Sequence, residues 1–533
     1  MPPDHALADP ESDPTATWAF DPARVRRLVA RVTAGPDAAR VTTRAPFTGA
    51  PLADLPQSTP HDVQAAVARA RSAQPEWAAR DVRERAAVLL RLHDLVLRRQ
   101  VEGLDLVQLE SGKARSHAFE ELADVAINAR WYARRGPALL ADERHPGLVP
   151  GLTRVTEVHH PRGVVGVVAP WNYPLTLALS DALPALLAGN AVVLKPDTRT
   201  ALTALWGAEL LTEAGLPEAL FGVVVGEGPV VGPALIDAVD FVCFTGSTAT
   251  GRQVAQQAAA RLVGASLELG GKNALYVADD ADLDRAADAA VRDCFSGAGQ
   301  LCISMERLVL HERIADAFLE RFLDRVRRLR LGTALDFSAD MGSLVSAEQL
   351  ERVRAHVDDA VAKGARVLAG GRARPDIGPL FFEPTVLEGV PSTAVCARTE
   401  TFGPVVAVSR VGSDAEAVAF ANDSEYGLNA AVWTRDLARG QLVARRLRTG
   451  TVSVNESYAV TWGSVAAPMG GRKASGLGRR HGREGILRYT ESQTVAVQRG
   501  PGLGILYAQG GERVARLFTA AFQAARATRL PWP

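Results

Sequence analysis

Between Arg162 and Phe244 the chain repeats one unit, and that repetition leaves few folds open. Gly163-Val164-Val165-Gly166-Val167-Val168-Ala169 is a near-continuous apolar run of strand length. Ala191-Val192-Val193-Leu194, Gly222-Val223-Val224-Val225 and Asp240-Phe241-Val242-Cys243-Phe244 follow, each after a helix-length insert. A strand that is apolar on both faces has no solvent side, so it belongs in a parallel sheet with helices on both faces. The alternation resumes after Lys272 with Ala274-Leu275-Tyr276-Val277, a helix over Asp282 to Phe295, the strand Arg307-Leu308-Val309-Leu310 and a helix over Glu312 to Arg330. Further strands are expected at Arg366-Val367-Leu368, Val405-Val406-Ala407-Val408 and Ala430-Ala431-Val432-Trp433. The pattern predicts an α/β protein with two doubly wound parallel-sheet domains, divided near Lys272.

Outside these units the rhythm changes. From Ser58 to Arg115 it is helical, with Val63, Ala66, Val67 and Ala70 at three-and-four spacing, a break at Pro75 and a resumption over Val82 to Leu109. Thr153 to His160 and Gln493 to Gln498 are alternating and β-prone, and each reads as a strand reaching outside the main domains. Residues 1–20 carry Pro and Asp turn signals and no apolar core, which predicts a frayed leader and neither a secretory signal nor a membrane span. The tail, residues 500–533, contains an amphipathic stretch from Glu512 to Ala525, read as a packed helix.

A chain of 533 residues predicts more than one domain. Its 60 basic and 60 acidic residues balance, so no global field draws it to nucleic acid or to anionic lipid. Four cysteines, with no C-x-x-C pair, support neither a zinc knuckle nor a disulfide framework. A cytoplasmic protein without metal is expected.

Ligands in open α/β sheets bind beyond the carboxyl ends of strands, and the strand ends here are unusual. The first runs into Pro170-Trp171-Asn172-Tyr173-Pro174. Asn172 offers an uncharged donor suited to a developing oxyanion, or else caps a turn. The second ends in Lys195-Pro196-Asp197-Thr198, with an ammonium at a phosphate or ribose position, or else a solvated lysine. The fourth runs into Phe244-Thr245-Gly246-Ser247-Thr248-Ala249-Thr250-Gly251 at a helix start, where glycine would let the backbone approach a pyrophosphate. Gly226-Glu227-Gly228 is either a similar site or a tight turn. Ser266-Leu267-Glu268-Leu269-Gly270-Gly271-Lys272 brings a carboxylate, and Gly297-Ala298-Gly299-Gln300-Leu301-Cys302 a cysteine on a glycine-bounded loop. Cys243 and Cys294 lie in apolar pattern and read as packing residues. At an ordinary thiol pKa of about 8.5, Cys302 needs activation, and Glu268 is a base or a salt-bridge partner. Glu400-Thr401-Phe402-Gly403-Pro404 adds a carboxylate that can accept from ribose hydroxyls and a ring that can back a nicotinamide.

Taken in this order, the motifs resemble the aldehyde dehydrogenase superfamily from about Thr42 to Gln498, and most of all its NADP-type succinate-semialdehyde dehydrogenases. The resemblance implies a cofactor-binding domain (residues 21–150 and 168–272), a catalytic domain (273–470) and a small bridging β-subdomain (151–167 and 484–499) in a homodimer or homotetramer. It implies Cys302 as nucleophile, Glu268 as base, and Asn172 with the Cys302 N–H as oxyanion hole. Lys195, Ser247, Glu400 and Phe402 would contact the cofactor, with Gly246 at the pyrophosphate and Trp171 helping to hold a phosphate. Members that require NAD usually carry glutamate where this chain has Thr198, so NADP is expected to be favoured over NAD. Ser180 and Ser296 stand where such enzymes place arginines around the substrate carboxylate. The implied reaction oxidises an aldehyde to its acid. Its rivals are a CoA-acylating dehydrogenase, against which Glu268 counts, and a cofactor-free cysteine acyltransferase or hydrolase, which would want a histidine at a strand end. A structural or binding protein without catalysis fits poorly with Cys302, Glu268, Asn172 and Lys195 together.

Overall fold

The computed structural model describes residues 21–148, 152–500 and 502–526, so the expected leader lies outside the described residues. The apolar runs form a six-stranded sheet ordered Gly476–Leu477, Gly264–Glu268, Phe241–Thr245, Val164–Ala169, Ala191–Pro196 and Phe221–Val223. All neighbours are parallel except the antiparallel edge strand Gly476–Leu477. Val164, Val165, Val192, Val193 and Leu194 are fully buried, which is why the strands read as continuous rather than alternating. The second run forms a seven-stranded sheet ordered Arg366–Ala369, Thr385–Glu388, Val405–Val411, Met305–His311, Asn273–Val277, Ala430–Trp433 and Ser453–Val454. Only Arg366–Ala369 runs antiparallel within it. The chain leaves the first sheet at Glu268 and enters the second at Asn273, so the turn between them carries Gly270 and Gly271.

Thr153–Pro161 pairs antiparallel with Thr490–Gln498 along its whole length, and Glu143–His145 flanks it on the other side. Segments far apart in sequence thus make one three-stranded sheet. The cut between residues 167 and 168 falls inside the strand Val164–Ala169 and is corrected to Arg162–Gly163. There Gly163 adopts φ +125°, and the Asp240 carboxylate accepts from the Val164 N–H at 2.8 Å, anchoring the start of the main-sheet strand.

Pro75 does not break its helix, which runs from Pro60 to Ala79. Thr59 and Asp62 close a capping box at its start. Beyond the proline, Trp77 is buried and its indole N–H donates to the Leu186 carbonyl at 2.8 Å, so tertiary packing holds the last turn. The stop comes at Asp81, whose carboxylate accepts from the Arg83 N–H and caps the next helix, Val82–Arg98. The amphipathic tail lies within a helix spanning Leu503–Arg526 that bends at Gly510, but it is not packed as expected, since Leu517 and Phe522 are exposed. Among the described residues, no helix is long and apolar enough to cross a membrane.

Candidate active site

The carboxyl ends of the first sheet face the loop that carries Cys302. Between them lies a cavity of about 230 Å³ lined by Trp171, Asn172, Gly246, Ser247, Glu268, Cys302, Glu400 and Phe402, along with several neighbours. Eight of the ten expected site residues therefore meet at one place. The other two, Lys195 and Thr198, line an adjoining cavity of about 550 Å³ with Asp197, Gly226, Glu227 and Gly228. Arg199 and Ser346 line both cavities and mark where they meet.

The Cys302 loop is fixed by its backbone. Gly297, Ala298 and Gly299 all have positive φ, and a Cβ on Gly299 would stand 2.1 Å from the Gly403 carbonyl oxygen. The Gln300 side chain donates to the Gly297 carbonyl at 3.1 Å and accepts from the Val345 N–H at 3.0 Å. Asn273 Nδ2 donates to the Cys302 carbonyl at 2.7 Å and to the Ser304 carbonyl at 2.8 Å. A Cβ on Gly271 would come 2.5 Å from that same Cys302 carbonyl, and one on Gly270 would come 2.5 Å from the Glu400 carboxylate. The glycine pair thus lets the Cys302 carbonyl and the Glu400 carboxylate lie against the turn between the two sheets. Gly246 is different: its Cβ would strike the Phe244 ring at 2.6 Å, so packing already demands glycine there.

Asn172 is buried, and its Nδ2 donates to the Gln300 carbonyl at 2.9 Å, which ties the first strand end to the cysteine loop. A buried ion pair supports it from below. Lys113 Nζ donates to the Asn172 carbonyl at 2.5 Å and to Glu121 Oε1 at 2.6 Å, and Glu121 Oε2 accepts from the Leu175 and Thr176 N–H groups. The sequence reading passed over Lys113 and Glu121.

Glu268 ends its strand with its side chain buried and Oε1 without a protein partner. Burial raises its pKa to about 7, with the Arg480 guanidinium pulling down and the Asp181 carboxylate pushing up. Those two are paired, Arg480 Nη2 donating to Asp181 Oδ1 at 3.1 Å, and Arg488 donates to the same oxygen at 2.6 Å. Burial pushes the Cys302 thiol up to about 12, helped by the Glu400 and Glu268 carboxylates. In the absence of other charge the resting cysteine is therefore a thiol, and its proton needs an acceptor.

The remaining cavity walls suit a dinucleotide. Ser247 caps the helix Thr248–Ala260, its Oγ accepting from the Thr250 N–H, so the helix N-terminus opens onto the cavity. Burial lowers the Lys195 pKa, and the Asp197 carboxylate opposes that shift. Arg199 holds Asp197 and sits 5.8 Å from the centroid of the Trp171 ring, and the K-P-D-T-R run was the signal that could have singled it out. Trp171 packs edge-on against Phe402, with centroids 5.5 Å apart. Phe402 has φ +58°, and that turn is pinned by Glu306, which accepts from the Thr401 and Phe402 N–H groups and pairs with buried Lys272. Gln349 donates to the Phe402 carbonyl at 2.6 Å. Glu400 accepts from the Gly271 N–H at 2.8 Å, and burial raises its pKa to about 8, with Glu306 adding to the shift.

Residues 33–495 match the model of the aldehyde dehydrogenase family. The chain belongs to the aldehyde dehydrogenase family. A Mycolicibacterium smegmatis protein with the provisional name succinate-semialdehyde dehydrogenase [NADP(+)] is 55% identical over 494 residues, 92% of this chain and 95% of its own. The Escherichia coli succinate-semialdehyde dehydrogenase [NADP(+)] is 37% identical over 457 residues, covering 85% of this chain and 93% of its own. Among solved structures, Staphylococcus aureus betaine aldehyde dehydrogenase in complex with NAD+ superposes with a TM-score of 0.84 at 31% identity, over 90% of this chain and 97% of that one. As a member of this family the protein is an enzyme that oxidises an aldehyde to a carboxylic acid.

Proposed function

We propose that this aldehyde dehydrogenase works through a thioester on Cys302, with Glu268 as the hydrolytic base, Asn172 as the oxyanion donor and NADP preferred over NAD. The observation that carries this reading is the meeting of Cys302, Glu268 and Asn172 in one cavity with Ser247, Glu400 and Phe402.

Cys302 gives its proton to solvent water and its sulfur adds to the aldehyde carbon, the carbonyl π pair moving onto the oxygen as negative charge. The Asn172 amide and the Cys302 backbone N–H stabilise that oxyanion, which exists only after attack. A bound nicotinamide dinucleotide supplies the acceptor for the hydride that leaves the same carbon. Cys302 is then acylated, and Glu268 takes a proton from the water that attacks the thioester, releasing the acid and restoring the thiol. A carboxyl near pH 7 is suited to that work, because it is ionised enough to act and basic enough to accept.

The walls fit the dinucleotide. Ser247 and its helix start would receive the pyrophosphate, Glu400 the nicotinamide ribose, and Phe402 the ring. Lys195, Thr198 and Arg199 would face the adenosine ribose, where two cations, and threonine rather than glutamate at position 198, favour a 2′-phosphate. The relatives' names bring succinate semialdehyde forward as the aldehyde. The open edge of Thr490–Gln498, with Val495 and Val497 exposed, is the face on which we place subunit contact in a homodimer or homotetramer.

Replacing Cys302 by Ala removes the nucleophile and nothing else. Turnover should vanish while NADP still binds, measured by quenching of tryptophan fluorescence. Near-normal turnover of this variant would end the thioester mechanism.

A further inference from the structure

Leu301 and Ile303, on either side of Cys302, open into a second cavity of about 140 Å³ away from the dinucleotide walls. Its lining is mostly apolar and aromatic, with Tyr173, Tyr458 and Trp462, and among its described lining residues it holds one cation, Arg292. Ser180 and Ser296, where the sequence reading looks for substrate arginines, are both buried. Ser180 is already committed to Asp124 at 2.5 Å, and Ser296 caps the helix Leu283–Phe295. Neither can offer a positive charge.

Arg292 leaves that same helix in a defined position. Its Nη2 donates to Glu120 Oε1 at 3.0 Å, and the Tyr458 hydroxyl donates to Glu120 Oε2 at 2.9 Å. The guanidinium carbon lies 5.9 Å from the centroid of the Tyr458 ring. Glu120 and Tyr458 thus orient the cation, while the Arg292 side chain stays 47% exposed. A guanidinium presents five donors in a planar fork, so one edge can hold Glu120 while another takes a second carboxylate. Two carboxylates, Glu120 and Asp124, also face the cavity. The charge of Glu120 is matched by Arg292. Burial raises Asp124 to about 6, and it accepts from Ser180 and from Asn128 Nδ2 at 3.0 Å.

We propose that Arg292, held by Glu120 and Tyr458, receives the carboxylate tail of the aldehyde and is the residue that selects acid-tailed substrates. This rests on the thioester reading above and adds to it the substrate's far end. A largely apolar cavity with one oriented guanidinium in its wall fits a short aldehyde whose other terminus is anionic.

The test compares succinate semialdehyde with its uncharged methyl ester, using the full-length enzyme, NADP and the variants Arg292→Gln and Arg292→Lys. The readout is the ratio of kcat/KM for the acid to that for the ester. Charge-assisted hydrogen bonds predict that Arg292→Gln lowers this ratio on the order of tenfold to hundredfold, mostly through KM of the acid. Arg292→Lys should recover part of the loss. A ratio that is unchanged in both variants, because both aldehydes fall together or neither falls, overturns the assignment. A wild type that oxidises the ester but not the acid also overturns it, and leaves the thioester mechanism standing. A wild type inactive on both, yet active on other aldehydes, overturns the assignment as well, and one inactive on every aldehyde tried refutes the proposed function itself.

Discussion

Glu268 gives the thioester mechanism its most quantitative consequence. Burial places its carboxyl at about 7, inside the range where such an enzyme is assayed. A group of that pKa is about one-tenth ionised near pH 6 and about nine-tenths ionised near pH 8. If thioester hydrolysis limits turnover and requires the ionised form, kcat rises about tenfold between those two pH values and then levels. The position of that limb follows from named charges. Arg480 favours the carboxylate and Asp181 disfavours it. Arg480→Met should move the limb to higher pH and Asp181→Asn to lower pH, each by about one unit, which corresponds to about 1.4 kcal/mol. Glu268→Gln should remove the limb, preserve a first burst of reduced cofactor and then stall at the acyl-enzyme. The assay is steady-state kcat from about pH 5.5 to 9, with rapid mixing to record the burst. A wild-type profile that is flat between about pH 6 and 8, or a limb that survives in Glu268→Gln, would refute the assignment of this base.

The same carboxyl has a stability consequence of opposite sense. Its pKa rises from 4.5 unfolded to about 7 folded, so its favourable contribution is present below 4.5 and is lost as pH rises through 7. Burying its charge costs about 3.5 kcal/mol at alkaline pH, taking roughly 2.5 units at about 1.4 kcal/mol each. Glu268→Gln should therefore raise Tm relative to wild type near pH 8.5 and do so much less near pH 5, and equal shifts at the two values would contradict this. Asn172→Ala should lower turnover on the order of a hundredfold with a smaller change in aldehyde KM, and an effect confined to KM would count against an oxyanion role. Thr198→Glu should swing the NADP-to-NAD ratio of kcat/KM towards NAD. A wild type that already prefers NAD strongly would show that Lys195 and Arg199 do not set the choice.

What could be read from the sequence was whatever is local. Both-face burial writes itself into runs such as Val164 to Ala169, and strand ends carry their chemistry within a few residues of the strand. Asn172, Glu268 and Cys302 could be named for that reason, and so could the two main sheets. The misplaced cut at residue 167 and the supposed break at Pro75 have the opposite origin. The first depends on an aspartate, Asp240, brought in from another strand, and the second on the indole of Trp77 reaching Leu186. Neither contact leaves a trace in local composition.

The support beneath the site was hidden more thoroughly, because a buried charge and a solvated one look alike in sequence. Arg479 and Arg480 are neighbours, yet Arg479 is only half-buried while Arg480 is 2% exposed and reaches Asp181 across 299 residues. Lys113, Lys272 and Arg292 read as ordinary helix or loop lysines and arginines until Glu121, Glu306 and Glu120 are seen opposite them. Burial of ions is tolerated only with such partners. Around Glu268 this pairing does more than hold the fold. Arg480 is bonded to Asp181 and acts on Glu268 only through its charge, so it tempers the upward push of burial without cancelling it. A carboxyl left alone at that depth would stay protonated at neutral pH, and one paired directly with Arg480 would be too weak a base to take a proton from water. The indirect arrangement, with Oε1 unpartnered and the Arg480 guanidinium bonded to Asp181, is what leaves Glu268 able to act as the proposed base at neutral pH.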